Sequence, residues 1–363
     1  MQNDPVGRHG LRRFPWGAVL FVLAASAAQS QQAILAPVSG PQTQLAPLDA
    51  RALGMGGAFT AVAEGPTAVW WNPGALGAQP EVSVALWSQR NLDYVTPFSS
   101  RNTAEYVGAA ANGRVGFLGI GIQGSHFVGG LESLRAPLPG GSMAQHRETT
   151  WYLGVGGDLL RALRVDTQRL RWGVGTALKT TQLEVGGDAR GWDLDLGTLV
   201  TAEFPVSLAA GEHRGTVTTR LGITAQGIFA GDLEVPTYFP YEMLRSLRLG
   251  MGVEARLKET PAGRHEMSLL LAVDVQHFRG ALRRADPLVA FGMEVRGYDI
   301  VALRLGFVDG TGASAARLDL GFGLGTGTIR VDADNAFSLS FDFASLDASN
   351  RTEHITFSGA WHY

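Results

Sequence analysis

Side chains that could carry out catalysis or bind a metal are few and scattered along this chain. It has no cysteine, which excludes thiolate zinc sites, iron–sulfur clusters and cysteine nucleophiles. The eight histidines are not paired at metal-ligand spacing, and neither a GxSxG elbow nor an HExxH motif occurs. Residues 119–124 match GxGxxG, but they lie inside an expected strand with no helix after it. We therefore expect no enzyme activity, no cofactor and no metal site.

The elements that carry the remaining polar residues have a period of two from residue 81 onward. For example, Leu249, Met251 and Val253 alternate with Gly250 and Gly252. Successive strand residues face opposite sides, so each segment has one apolar face and one face of Gly, Asp, Arg or Ser. This pattern predicts fourteen strands, at 82–91, 102–111, 114–127, 146–162, 168–183, 190–204, 215–229, 244–257, 264–278, 287–297, 299–308, 315–324, 328–343 and 352–363.

These strands predict an all-β fold, a transmembrane antiparallel up-and-down β-barrel whose apolar faces contact lipid and whose lumen accommodates glycine and charge. The alternative, a soluble β-sandwich, leaves unexplained why the 363 residues include 48 glycines, 17% charged residues and only two lysines. The net charge of −3 excludes a nucleic-acid partner bound through bulk charge.

The predicted connections differ between the two ends of the barrel. Those after strands 2, 10 and 12 are expected to be tight, at 112–113, 297–299 and 325–327, whereas those after all odd-numbered strands are longer. The connection at 205–214 is the exception. Short turns at one rim, longer loops at the other and a last strand ending on an aromatic residue are typical of bacterial outer-membrane barrels. We expect the protein in that membrane.

The N-terminal region divides into three parts before the barrel. Residues 1–30 are predicted to be a signal peptide, because arginines precede a ten-residue apolar stretch at 16–25 and small residues follow it. The alternative is a retained anchor, for which this stretch is short. Residues 31–49 are expected to form a flexible leader, 50–79 a compact plug, and 80–363 the barrel.

A family resemblance supports the plug. Residues 51–76 read RALGMGGAFTAVAEGPTAVWWNPGAL and closely resemble the N-terminal segment of the PorV/FadL-like outer-membrane proteins. The resemblance continues in order through 244–252, 291–307, 320–334 and 337–341. It implies a 14-stranded barrel with a small N-terminal hatch inside the lumen. Gly74 stands where the family usually has alanine, and Glu64-Gly65 replaces the usual aspartate pair.

The glycines of the hatch motif allow close approach to the wall, and Asn72 can fix a turn before Pro73. Two interpretations stay open, a structural plug and a gate that moves when a ligand binds. The expected hatch or gate residues are Gly54, Met55, Gly56, Gly57, Phe59, Trp70, Trp71, Asn72 and Pro73.

Charged residues on the inward face form a second expected set. They mix both signs, which favours hydrogen-bonded ladders that brace the barrel and hold the hatch, with ion selectivity as a secondary role. This set comprises Arg171, Asp193, Asp195, Arg248, Glu254, Asp274, Arg304 and Asp319.

A third set lies in the connection at 230–243, which carries Val235, Tyr238, Phe239 and Tyr241 beside two prolines. Exposed apolar residues at a rim indicate ligand capture. An aromatic girdle at the membrane interface explains them equally well.

Two functions follow as hypotheses. The FadL resemblance implies passive transport of hydrophobic small molecules such as fatty acids or aromatic hydrocarbons, which enter at the loops, pass the hatch and leave through the wall into the bilayer. The PorV resemblance implies a secretion or assembly component that docks a partner protein. A purely structural barrel is a third alternative. The expected partners are outer-membrane lipid and either a hydrophobic ligand or a secretion partner.

Overall fold

The structure is a computed structural model, and part of the chain can be described in it. The described residues are 42–45, 49–78, 81–91, 104–115, 117–130, 145–165, 167, 169–184, 188–208, 213–229, 232–233, 241–258, 266–279, 287–309, 316–331, 335–346 and 352–362. The predicted signal peptide and most of the predicted leader lie outside the described residues.

Fourteen antiparallel strands form a closed β-barrel, which confirms the predicted fold and excludes the sandwich. Each strand pairs with its neighbours in the chain, and the ring closes where the last strand pairs with the first, from Glu81 opposite His362 to Asn91 opposite Thr352. The wall strands are β1 Glu81–Asn91, β2 Ala104–Val115, β3 Leu118–Gly130, β4 Gln145–Asp158, β5 Leu170–Glu184, β6 Asp188–Leu208, β7 His213–Gln226, β8 Arg245–Lys258, β9 Glu266–Arg279, β10 Leu288–Gly297, β11 Val301–Val308, β12 Arg317–Gly325, β13 Ala336–Leu346 and β14 Thr352–His362.

The alternation of residue types in the sequence becomes an alternation of exposure across the wall. In β8, Leu249 and Met251 are about half exposed on the outside, whereas Arg248 and Glu254 are buried on the inside. The same division holds in β4, where Leu153 is exposed and Tyr152 is buried. The barrel therefore has an apolar outer face and an inner face of glycine and polar residues.

Four short helices and one 3₁₀ helix accompany the strands. They are α1 Gln42–Leu45, α2 Ala50–Gly54, α3 Ala68–Trp71, the 3₁₀ helix Pro73–Ala78 and, between β4 and β5, α4 Leu159–Ala162. Helix α4 corrects the predicted strand at 146–162, which ends at Asp158 because the Asp158 carboxylate accepts the amides that begin the helix. Among the described residues, no helix is long and apolar enough to cross a membrane.

The two ends of the barrel are named here by their connections. The turn rim is the end where β1 begins, and it carries the β2–β3, β4–β5, β6–β7, β8–β9, β10–β11 and β12–β13 connections; the loop rim is the opposite end. The predicted tight turn between β10 and β11 is present. Tyr298 and Asp299 have φ values of 59° and 53°, as in the turns that match the twist of a hairpin.

Several predicted connections are wrong in detail. Asn112 and Gly113 lie inside β2, opposite Gly121 and Ile120, because the pairing with β3 continues to Val115. The chain after β12 does not turn at 325–327 but bends there and forms a second short pairing with β13, through Ile329–Arg330.

The predicted difference in loop length between the two rims fails between β5 and β6, and the exception predicted at 205–214 is itself wrong because that connection is short. The loop-rim connection between β5 and β6 is short, at 185–187, and the turn-rim connection between β6 and β7 is only 209–212. Strand β6 continues past Pro205 because its pairing with β5 ends at Ala202, so the missing proline amide faces no strand on that side.

Candidate functional site: the occupied lumen

The middle of the lumen is filled by residues 49–78, named here the inner segment. Its large side chains are among the most buried of the described chain: Leu53 and Met55 are 0% exposed, and Trp70 and Trp71 are 1% exposed. The Phe59 and Trp71 rings meet edge to face at 5.4 Å, and those of Trp70 and Trp71 at 4.5 Å. The inner segment therefore forms an apolar core within a polar-walled barrel.

The wall meets the inner segment through a belt of glycines. A Cβ on Gly292 would come within 2.7 Å of the Met55 carbonyl oxygen, and one on Gly222 within 2.6 Å of the Thr60 carbonyl oxygen. The wall strands and the inner segment therefore touch backbone to backbone, as only glycine permits. The glycine belt consists of Gly119, Gly121, Gly154, Gly156, Gly173, Gly175, Gly197, Gly222, Gly250, Gly252, Gly292, Gly306 and Gly321.

Asn72 locks the turn between α3 and the 3₁₀ helix onto the wall. Its side-chain amide donates to the Thr60 carbonyl at 3.0 Å and to the Thr198 carbonyl of β6 at 2.9 Å, while its carbonyl oxygen accepts from the Gly74 amide. Thr224 and Gln226 of β7 add hydrogen bonds to the carbonyls of α3. One buried asparagine thus joins two parts of the inner segment to β6.

Two wall residues hold the aromatic part of the inner segment. The Asp274 carboxylate accepts from the backbone amides of Phe59 and Thr60, at 3.1 and 2.9 Å. The Arg248 guanidinium lies over the Trp70 ring at 4.5 Å and near Trp71 at 5.1 Å, a cation–π arrangement. Both residues belong to the polar set predicted from the sequence.

A network of ion pairs binds α2 to the wall at β10, β11 and β13. Arg51 donates two hydrogen bonds to Glu294 of β10, at 2.8 and 2.9 Å, and also pairs with Glu64 of the inner segment. Glu294 in turn accepts from Arg304 at 2.6 Å, and Arg304 also binds Asp342 at 2.7 Å. These charges are bidentate or shared, as buried ion pairs require.

Glu64 stands at the centre of a group of arginines. Burial raises the pKa of Glu64, but the guanidinium groups of Arg51, Arg220 and Arg296 have the larger effect and lower it to about 2. Its carboxylate is therefore ionised at any physiological pH.

A cavity of about 670 Å³, named here the turn-rim chamber, lies between the inner segment and the turn rim. Hydroxyl side chains of β1, β13 and β14 form one side of it. Its arginines are Arg51, Arg169, Arg171, Arg220, Arg256, Arg296 and Arg304, and its acidic residues are Asp49, Glu64, Glu203, Glu254, Asp299 and Asp342. The chamber is strongly polar and nearly balanced in charge.

On the loop-rim side of the inner segment, α1 is bound to the wall. The Thr43 amide donates to Glu148 at 2.9 Å, and its hydroxyl lies 2.6 Å from that of Thr150. The Gln44 side chain donates to Thr181 and accepts from the Leu244 amide, which belongs to the chain that leads into β8. Side-chain hydrogen bonds hold α1, whereas the glycine belt holds the inner segment.

A buried lysine supports the loop rim beside α1. Lys179 binds Asp195 at 2.8 Å and lies 3.8 Å from Asp193. The same two carboxylates accept the backbone amides of Gly227 and Phe229, where the chain leaves β7. This cluster fixes the start of the connection at 227–244.

Comparisons with known proteins give structural neighbours only. No family model and no curated protein matches the chain. The CymD monoaromatic hydrocarbon channel is 10% identical with a TM-score of 0.44, covering 90% of this chain and 99% of that one. The Pseudomonas putida toluene transporter TodX is 12% identical with a TM-score of 0.38, covering 90% and 98%. The transport unit of the Escherichia coli autotransporter AIDA-I is 10% identical with a TM-score of 0.41, covering 78% and 90%. Because these TM-scores lie below 0.5, the likenesses assign neither a family nor a function.

The structure brings most of the predicted site residues together in the lumen. Gly54 contacts the wall at Gly321, Gly56 lies against Phe307, and Gly56 and Gly57 have positive φ values. Pro73 places its carbonyl against the glycine belt. That these residues form a movable gate stays a prediction.

The predicted charged set is dispersed around the lumen rather than gathered at one point. Glu254 pairs with Arg220 at 2.7 Å and with Arg256 at 2.8 Å, and Asp319 pairs with Arg317 at 2.9 Å. Arg171 lines the turn-rim chamber, far from the Lys179 cluster in the register of β5. Within the described part of the chain, no group of three or more His, Asp or Glu side chains could hold a metal.

The third predicted set lies almost entirely outside the described residues. Val235, Tyr238 and Phe239 lie outside the described residues, and of Tyr241 only the backbone, which pairs with Leu233, is described. Ligand capture by this loop stays a prediction.

The sequence analysis missed four residues that bind α1 and α2 to the wall, Thr43, Gln44, Arg51 and Glu294. Arg51 opens the hatch motif and Glu294 lies on an inward position of β10, but only the fold brings them together.

Proposed function

We propose that the barrel lies in the bacterial outer membrane. Large apolar side chains cover its outer face, including Leu86 at 61% exposure, Leu303 at 59% and Leu153 at 55%. They occur all around the ring, and a continuous apolar surface of this kind is typical of contact with hydrocarbon. In water it would be a strong aggregation hazard.

We propose that the protein carries hydrophobic small molecules passively across that membrane, and that it is not an enzyme. The single observation that carries this proposal is the apolar, aromatic filling of the lumen by the inner segment. A porin for polar solutes keeps a water-filled lumen, whereas here the aromatic side chains of Trp70, Trp87 and Tyr152 are buried together. Movement down a concentration gradient requires neither a catalytic residue nor an energy source.

The turn-rim chamber limits the route that a hydrophobic solute can take through the barrel. Its many charged and hydroxyl groups make it a poor environment for a hydrocarbon, because entry would strip water from ionised side chains. We therefore propose that the solute leaves sideways through the wall, into lipid, before it reaches the chamber. This exit is also what the FadL resemblance implies.

A disulfide bond between α1 and the wall tests the proposal. The chain has no cysteine, so engineered thiols react only with each other. The Thr43 and Thr150 hydroxyls lie 2.6 Å apart, so T43C/T150C places two sulfur atoms within bonding reach. We expect proteoliposomes containing this variant to take up a labelled fatty acid when reduced and to lose uptake when oxidised.

The control bond joins two wall strands. Ser340 and Ser358 lie opposite each other with hydroxyls 2.5 Å apart, and neither contacts α1. Oxidising S340C/S358C should leave uptake at its reduced level. Uptake that is absent in every state would contradict transport, and co-purification of a large secretion subunit would then favour the docking role. No described feature favours that role, and we do not propose it.

A further inference from the structure

An apolar patch with two arginines lies on the outside of the barrel at the turn rim. This α4 patch consists of Val115, Phe117, Arg161, Leu163, Arg164 and Val165. Its apolar members are well exposed: Val115 is 74%, Leu163 65% and Val165 46% exposed.

The α4 patch continues the apolar outer face of the wall. The Asp158 amide donates to the Phe117 carbonyl at 3.4 Å, which joins the β2–β3 turn to the end of β4. The Asp158 carboxylate then accepts the amides of Leu160 and Arg161 and starts α4. The patch therefore lies where the lipid-facing strands end, at the level of the interface between hydrocarbon and headgroups.

The backbone at Arg164 has a conformation that favours glycine. Arg164 ends α4 with a φ of 56°, and the Val165 amide returns to the Leu160 carbonyl at 2.9 Å. Helix ends of this shape usually have glycine at the left-handed position, because a Cβ is strained there. Glycine at position 164 would therefore relieve strain at this helix end.

Both guanidinium groups are available to a partner. Arg161 and Arg164 are exposed, and neither forms an ion pair with any described residue. Cations beside exposed apolar side chains fit the membrane interface, where the apolar groups reach the acyl chains and the cations reach phosphate.

We propose that the α4 patch binds the phosphate group of an anionic phospholipid in the leaflet around the turn rim. The inference rests on the proposed membrane location but not on transport. The patch then fixes the height of the barrel in the bilayer at β2–β5.

The test measures the affinity of the protein for phosphatidylglycerol and phosphatidylcholine by native mass spectrometry in a neutral detergent. R161Q and R164Q should each weaken phosphatidylglycerol binding about fivefold and the double variant about 25-fold, since each arginine near an anionic lipid surface contributes independently. Binding of phosphatidylcholine should stay unchanged. R171Q removes the same charge from the turn-rim chamber and should leave both affinities within about twofold of the unmodified protein.

R164G separates lipid binding from folding. It relieves the left-handed strain, so the variant should unfold at a higher temperature while binding phosphatidylglycerol more weakly. A variant that is more stable and binds phosphatidylglycerol normally would overturn the proposal, as would equal losses in R171Q. Competition by inorganic phosphate at lipid-like concentrations would also overturn it, in favour of a simple anion site. Failure to bind phosphatidylglycerol would overturn the proposal as well, whereas loss of fatty-acid uptake alone would contradict only the proposed transport.

Discussion

Gly119 shows how a missing side chain positions the inner segment. A Cβ at Gly119 would overlap the Leu76 carbonyl of the 3₁₀ helix, and both atoms belong to rigid backbone. G119A should therefore destabilise the barrel by about 1–3 kcal/mol, the usual cost of overpacking. Urea unfolding in detergent measures the change. G297A is the matched control because nothing lies within 4 Å of its added Cβ. Equal stability of the two variants would mean that the 3₁₀ helix does not contact β3.

The lowered pKa of Glu64 predicts how its contribution to the stability of the fold depends on pH. Its pKa is about 2 in the folded protein against an ordinary value of 4.5, so the folded state binds fewer protons than the unfolded one. Its stabilising contribution is complete above pH 4.5 and is lost as the pH falls towards 2. The difference in unfolding midpoint between the unmodified protein and E64Q should follow this course. A difference independent of pH between 2 and 7 would argue against an ionised Glu64.

At the scale of elements, Asn72 decides how α3 and the 3₁₀ helix dock on β6. N72A removes three hydrogen bonds, and each buried partner left unsatisfied costs about 1–3 kcal/mol. N72D retains the acceptor for the Gly74 amide but turns a carboxylate oxygen towards the Thr60 and Thr198 carbonyls. We expect hydrogen exchange in residues 50–77 to be faster in N72D than in N72A. Slower exchange in N72D would show that the Asn72 amide is not the essential group.

The elements differ in how well the sequence predicts them. Alternation identified all fourteen wall strands because each has one apolar outward face and one inward face of glycine and polar residues. Turn signals were less reliable: Asn112-Gly113 favours a turn locally, but the pairing with β3 carries β2 past it to Val115, whereas the pairing with β1 ends at Asn112. Pro205 likewise favours an end to β6, which continues because only one side of the strand is paired there.

The lumen was predictable in composition and not in its contacts. The sequence identified the glycine-rich motif and the inward charges, including Asp274 and Arg304. The sequence did not show which residues pair with one another in the lumen. For example, Arg51 and Glu294 are 243 residues apart and meet only after the barrel closes. The inner segment is held by backbone packing, whereas α1 is held by side-chain hydrogen bonds. This difference also depends on residues that are far apart in the sequence.

At the scale of the whole molecule, the usual distribution of residues is inverted. Charged residues such as Lys179, Asp195 and Glu294 are almost fully buried, while leucine and isoleucine cover the outside. Lys179, Glu294 and Arg304 each bind an opposite charge, and Asp274 accepts two backbone amides, which reduces the cost of burying them. The low overall charge and high glycine content of the chain follow from this arrangement.

The inversion predicts that the cost of an outward charge depends on its height in the bilayer. Leu249 and Leu257 lie on the outer face of β8, 48% and 41% exposed, and Leu257 is next to the end of the strand. Their eight-residue separation along a tilted strand corresponds to about 20 Å in depth. L249R should cost about 2–4 kcal/mol of folding free energy in lipid vesicles and L257R only about 0–1 kcal/mol. Urea titration of folding into vesicles measures both, and each should cost little in detergent alone, where a guanidinium reaches water easily. Similar costs for the two variants in vesicles would show that this face does not cross a membrane, because in water both positions are equally free to carry a charge.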